Sequence, residues 1–158
     1  MDKNDDLKLA LEEMRFNMQQ VLNNGDGLDQ KVNNLLAAAG VVLAIASTLQ
    51  ISLSPNRSCL YWCILIFTII LYVVAVSLIL FSSKPYIYHF AMSSKWEDLD
   101  KYLFNAKPRE ALLALLAGYV DQIEYNEAIN RMKARLHSWS LLLLAIIVVF
   151  LIILLAIP

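Results

Sequence analysis

The chain has 158 residues, 59% of them hydrophobic, with a formal net charge of −1 and a mean hydropathy of +0.56. That apolar share exceeds what a soluble globular domain carries, and so short a chain has room for only a few membrane spans and one small polar module. A charge this close to zero gives no basic field to attract a nucleic acid polymer.

Met1 to Asp6 is acidic and polar, unlike the basic start of a cleaved signal peptide. From there the apolar residues fall at Leu7, Leu11, Met14, Met18 and Val21, a four-three spacing that draws one stripe along a helix capped by Asp5 or Asp6. A helix so short is marginal alone. Its polar face mixes Lys8 and Arg15 with Glu12 and Glu13, so the stripe is expected to rest on protein rather than on a lipid surface. Asn23-Asn24-Gly25-Asp26-Gly27 then reads as a helix stop and turn, because glycine and asparagine accept the left-handed backbone of a helix end. Residues 1–27 thus form a cytoplasmic amphipathic helix and turn.

Past Lys31 no charge appears until Arg57, and residues 32–53 are long enough to cross a bilayer. Ala37, Gly40, Ala44 and Ser47 (or Thr48) recur at threes and fours, a face on which another helix can approach closely. Ser54 to Ser58 is a proline-interrupted turn that reverses the chain. Residues 59–81 are the second span, flanked by Tyr61 and Trp62 at one end and by Lys84, Tyr86 and Tyr88 at the other. The segment 28–81 is therefore a transmembrane hairpin. Cys59 and Cys63, four apart on one helix, are poorly placed to bridge each other. They read as packing residues, with an intermolecular disulfide or lipidation as the alternatives.

Residues 82–137 form a cytoplasmic helical module. A short helix is expected over Trp96 to Phe104, capped by Ser93 or Ser94, and Lys107-Pro108-Arg109-Glu110 starts another. No proline follows until Pro158, so one helix can run from Pro108 into a third span, with Gly118 and His137-Ser138 as the places for any bend. Ala111 to Val120 is too short to cross a bilayer and reads as the core of the module. In the last segment, 138–158, fifteen of the seventeen residues from Leu141 to Ile157 are Leu, Ile, Val or Phe. At roughly 0.3–0.6 kcal/mol each, they favour insertion by at most about 5–9 kcal/mol. The fold class is all-α, an integral membrane protein with three transmembrane helices and a small helical cytoplasmic module.

Four basic residues precede the first span, eight lie between the second and third, Arg57 is alone in the hairpin turn and the tail has none. The positive-inside rule then sets a multi-pass topology in the cell (inner) membrane, with the N-terminus and residues 82–137 cytoplasmic and the C-terminus outside.

The sequence carries no Gly-rich phosphate loop, no CxxC and no HExxH, and its two histidines, His89 and His137, lack neighbours at metal-ligand spacing. No metal, no cofactor and no enzymatic activity are expected. Glu97, Asp98 and Asp100, like Asp121, Glu124 and Glu127, read as a solvated helix face. His137 beside Trp139 reads as an interfacial polar ring. Spans 32–53, 59–81 and 138–157 hold no Asp, Glu, Lys, Arg or His, so no ion path is built into one chain. Any leak has to come from several copies, which makes a homo-oligomer the expected state in the lipid bilayer.

Two local patterns carry a resemblance. Asp29-Gln30-Lys31-Val32-Asn33-Asn34-Leu35-Leu36 at the start of the hairpin, and Asn126 with Lys133 seven residues later, ahead of the last span, resemble small bacterial membrane effectors of nucleotide-signalled antiphage systems. These are the Pycsar transmembrane effectors and their SMODS-associated relatives. Val32 stands where that pattern has an alanine, and apart from Asn126 and Lys133 residues 82–137 match no motif of it. The resemblance implies a cytoplasm-facing sensor, triggered by a cyclic nucleotide or a cytosolic protein, and spans that impair the bilayer in antiviral defence. It makes Asp29, Lys31, Asn126 and Lys133 candidate ligand or coupling positions, against ordinary helix-end polarity. A non-catalytic adaptor docking a cytosolic partner and a small constitutive oligomeric channel are the other functions compatible with the sequence.

Overall fold

A computed structural model of the chain describes residues 3–51, 58–84 and 107–156. They form three helices: α1, Lys3–Ile51; α2, Cys59–Ser82; and α3, Pro108–Ala156. Each is long and apolar enough to cross a membrane. The expected helix at Trp96 to Phe104, the carboxylates Glu97, Asp98 and Asp100, His89 and the turn residues 54–57 lie outside the described residues.

The expected stop at Asn23 to Gly27 is not there. α1 runs through it as one helix of 49 residues, and no described glycine has a positive φ. The reason is in the register. The buried and half-buried positions of α1 continue the four-three spacing of Leu7, Leu11, Met14, Met18 and Val21 through Gly25, Leu28, Val32, Leu35, Ala39, Val42 and Ala46. Gly25 occupies a buried position of that stripe, and its loss of about 1 kcal/mol of helix propensity relative to alanine is borne by packing. Asn130 Nδ2 also donates to the Val21 carbonyl at 2.8 Å, anchoring α1 one turn before the glycine. The helix starts at Lys3, with Asp5 and Asp6 in its first turn rather than as its cap.

α2 is capped by Ser58, whose side chain accepts from the Tyr61 amide at 3.3 Å, and it closes where the Ser83 amide donates to the Ile79 carbonyl at 2.9 Å. α3 passes Gly118 and His137-Ser138 without interruption. Ala111 to Val120 is not a fully buried core: Ala111 is buried, whereas Leu113 and Val120 are exposed.

The chain divides into two compact units. The described parts of the first are residues 3–27 and 107–131; those of the second are 28–51, 58–84 and 132–156. Residues 132–137, expected in the module between the spans, group with the second unit. The core of that unit joins Val32, Leu35 and Ala39 of α1, Ala75 and Ile79 of α2, and Leu144 and Ile147 of α3. Ala39 and Ala75 are both fully buried, and the Tyr72 hydroxyl donates across to the Ala39 carbonyl at 3.2 Å. Such a contact needs small residues that let backbones approach. Phe67 and Phe150 meet edge to face, with ring centroids 5.6 Å apart.

Candidate functional site

In the second unit, α1 contributes Asp29, α2 contributes Ser82 and α3 contributes Lys133. Lys133 Nζ donates to Asp29 Oδ1 at 2.6 Å, and the two side chains are 1% and 42% exposed respectively. The Ser82 hydroxyl, itself fully buried, donates to the Lys133 main-chain carbonyl at 3.4 Å. One ion pair and one hydrogen bond therefore tie three helices together just beyond their uncharged stretches. A buried ammonium is tolerated only with a partner at hand, because desolvation of a lone charge costs several kcal/mol.

Two of the four residues singled out by resemblance are thus brought together. Lys31 is exposed on α1, as are Asn33 and Asn34. Asn126 belongs to the first unit, where it is fully buried and its Nδ2 donates to the Met18 sulfur at 3.6 Å. Beside it, Asn130 bonds the Val21 carbonyl, while Asp121, Glu124 and Glu127 are exposed, Glu127 pairing with Arg131 at 2.8 Å. Gln122 Oε1 in the first unit and His137 Nδ1 in the second are buried without a hydrogen-bond partner among the described residues.

The small-residue face expected for helix packing is left open among the described residues. Ala37, Gly40, Ala44 and Ser47 are all exposed, and a Cβ added at Gly40 would meet nothing within 4 Å. The face that packs is the adjacent one, through Ala39. Ser82, Asn130 and Ser140 went unnoticed in the sequence. For α3 a signal existed: Asn126, Lys133 and Ser140 are seven apart and all buried, the spacing of one stripe of a helix.

A model of the Pycsar effector protein domain family matches residues 13–158. The chain belongs to this family. No curated protein and no solved structure matches it. Membership makes this chain a multi-pass membrane effector of antiphage defence, in agreement with its three apolar helices. For this Pycsar effector, the Asp29–Lys133–Ser82 cluster is the strongest candidate for a functional site.

Proposed function

We propose that this Pycsar effector assembles as a homo-oligomer in the inner membrane, N-terminus in the cytoplasm and C-terminus outside, and impairs the bilayer when a cytoplasmic signal rearranges its helices. The chain itself catalyses no reaction. The signal is a cyclic nucleotide or a cytosolic protein bound on the cytoplasmic side.

The observation that supports this reading best is the buried ion pair between Asp29 and Lys133, close to the uncharged spans of α1 and α3. Uncharged spans offer ions no path, so a leak requires α1, α2 and α3 of several copies to repack. Separating α1 from α3 in the second unit breaks the Asp29–Lys133 pair. A ligand that favours the separated arrangement shifts the population by its difference in affinity between the two states. The exposed face of Ala37, Gly40 and Ala44 offers the close contact between copies that replaces a hydrophobic drive in lipid.

The test is induced expression in bacteria with dye uptake, membrane potential and growth followed together, with and without the signal. Signal-dependent depolarisation is expected. Depolarisation without any signal would favour a constitutive channel, and none under either condition would favour the adaptor that docks a cytosolic partner on residues 82–137.

A further inference from the structure

The core of the second unit is not filled to its end. Toward the termini of α1 and α3 and the start of α2, a cavity of about 300 Å³ opens between the three helices. Its floor is buried, formed by Leu65, Ile147 and Leu154, and its rim, at Leu43, Ile69 and Leu155, is exposed. The cause lies in the sequence. Of the described residues of α1 that line it, Ala46 brings only a methyl group to a wall shared with Leu65 of α2 and Leu154 of α3.

The chemistry of the lining excludes most occupants. Among the described residues that line it none is Asp, Glu, Lys, Arg or His, and the polar side chains are the hydroxyls of Ser47, Tyr61 and Tyr72. The Ser47 hydroxyl donates to the Leu43 carbonyl at 2.8 Å and that of Tyr72 to the Ala39 carbonyl at 3.2 Å, and Tyr61, 3% exposed, packs edge to face on Trp62. Water needs two to four polar partners to stay in such a space, and apolar cavities half this size remain dry while accepting small hydrocarbons. An empty void of this volume forfeits the dispersion contacts of everything that lines it. A second helix, about 10 Å across, is too thick to enter and could offer only side-chain tips.

We infer that a lipid acyl chain occupies this cavity, lying between α1 and the α2–α3 pair rather than around the outside of the protein. The rim opens at a level where all three helices are uncharged and the surroundings are hydrocarbon, so a flexible methylene chain is both available and the right shape. It completes the packing that Ala46 leaves short, and any rearrangement that parts α1 from α3 has to displace it. The inference requires only that the second unit stands in a bilayer, and it is independent of how the effector is triggered.

The full-length chain, reconstituted into phosphatidylethanolamine–phosphatidylglycerol vesicles doped with phosphatidylglycerol that carries a diazirine on its acyl chain, is irradiated and the labelled residues are mapped by mass spectrometry. Label is expected on the floor residues Leu65 and Leu154 as well as on the outward-facing Val41 and Ile152, which are 59% and 60% exposed. Ala46→Phe, which fills the space, is expected to abolish label at Leu65 and Leu154 and leave Val41 and Ile152 labelled as before. Should that variant fail to insert, Ala46→Leu is read in the same way. Unlabelled floor residues in the parent chain overturn the inference, and if diluting the protein in lipid restores their label, the occupant is a second copy. Floor label that survives both filling substitutions overturns it too.

Discussion

Lys133 and Asp29 share one ion pair on unequal terms: the ammonium is 1% exposed and its carboxylate partner 42%, at 2.6 Å. Removing Asp29 therefore strands a buried cation, whereas removing the charge of Lys133 leaves a carboxylate that water already reaches. Breaking a buried pair from one side costs about 3–5 kcal/mol, and an apolar replacement of similar volume is often nearly neutral. Asp29→Ala should destabilise the second unit by roughly 3 kcal/mol, the low end because Asp29 is half exposed, and Lys133→Met should cost clearly less. Thermal unfolding in detergent, followed by circular dichroism, gives the order; equal losses would mean that the asymmetry of exposure has no energetic weight.

The same pair bears on triggering. Alanine at Asp29 or at Lys133 should change triggered toxicity while leaving expression and insertion intact, because insertion is driven by the apolar spans, which hold neither residue. Growth, dye uptake and membrane fractionation of the two variants under the triggering condition check this. If both insert normally and kill as the parent does, the ion pair has no part in coupling and the adaptor reading moves ahead.

Gly27 lies inside α1 with a helical backbone and open space around an added Cβ. Gly27→Ala should therefore stabilise the protein by up to about 1 kcal/mol, through helix propensity and a less flexible unfolded chain. A hinge or left-handed cap at this point would make the same substitution destabilising, so the sign of the shift in melting temperature separates the two.

Much of this was legible in the residues, and the failures have physical causes. The three apolar helices, and room for an unbroken helix from Pro108 into the last span, could be read from charge placement and hydropathy, whereas Asp29 and Lys133 stood out only through the family resemblance, which did not say that they meet. Asn23 to Gly27 misled because local propensity was allowed to outweigh register. Counting fours and threes onward from Val21 lands on Gly25, Leu28 and Val32, and a stripe that continues beyond a glycine argues for a helix that does too. Ala37 and Gly40 raise a different point, since their face is exposed and one chain does not test whether it packs between copies. Small residues mark every face where helices can meet, and spacing alone does not say whether the partner belongs to the same chain. Ser82 could not be found at all from its own neighbourhood, since a serine at the end of a span is ordinary and its meaning lies in the Lys133 carbonyl, 51 residues away.

Because an added Cβ at Gly40 meets nothing within 4 Å among the described residues, Gly40→Leu should leave the folded protomer unchanged and act on contacts between copies. Association in detergent is expected to weaken, with the elution profile moving toward the monomer while helix content stays constant. An unchanged oligomer size would remove this face from the interface.

Reporter fusions after Pro158 should behave as periplasmic and fusions near Asn105 as cytoplasmic, as the positive-inside rule requires of eight basic residues between the second and third spans. A cytoplasmic signal after Pro158 would remove the third span, and with it the case for a leak assembled from α3.

Cys59 and Cys63 lie exposed on α2, one helical turn apart and so on one side of it, and neither is in a disulfide. Thiol reagents attack the thiolate, and both the charged sulfur and a water-borne maleimide are kept out of hydrocarbon. The natural chain thus carries two chemical reporters of hydration on one of the three helices that a leak would have to rearrange. Their silence or their modification, read on the unaltered protein as the signal is applied, tells whether water follows α2 into the membrane.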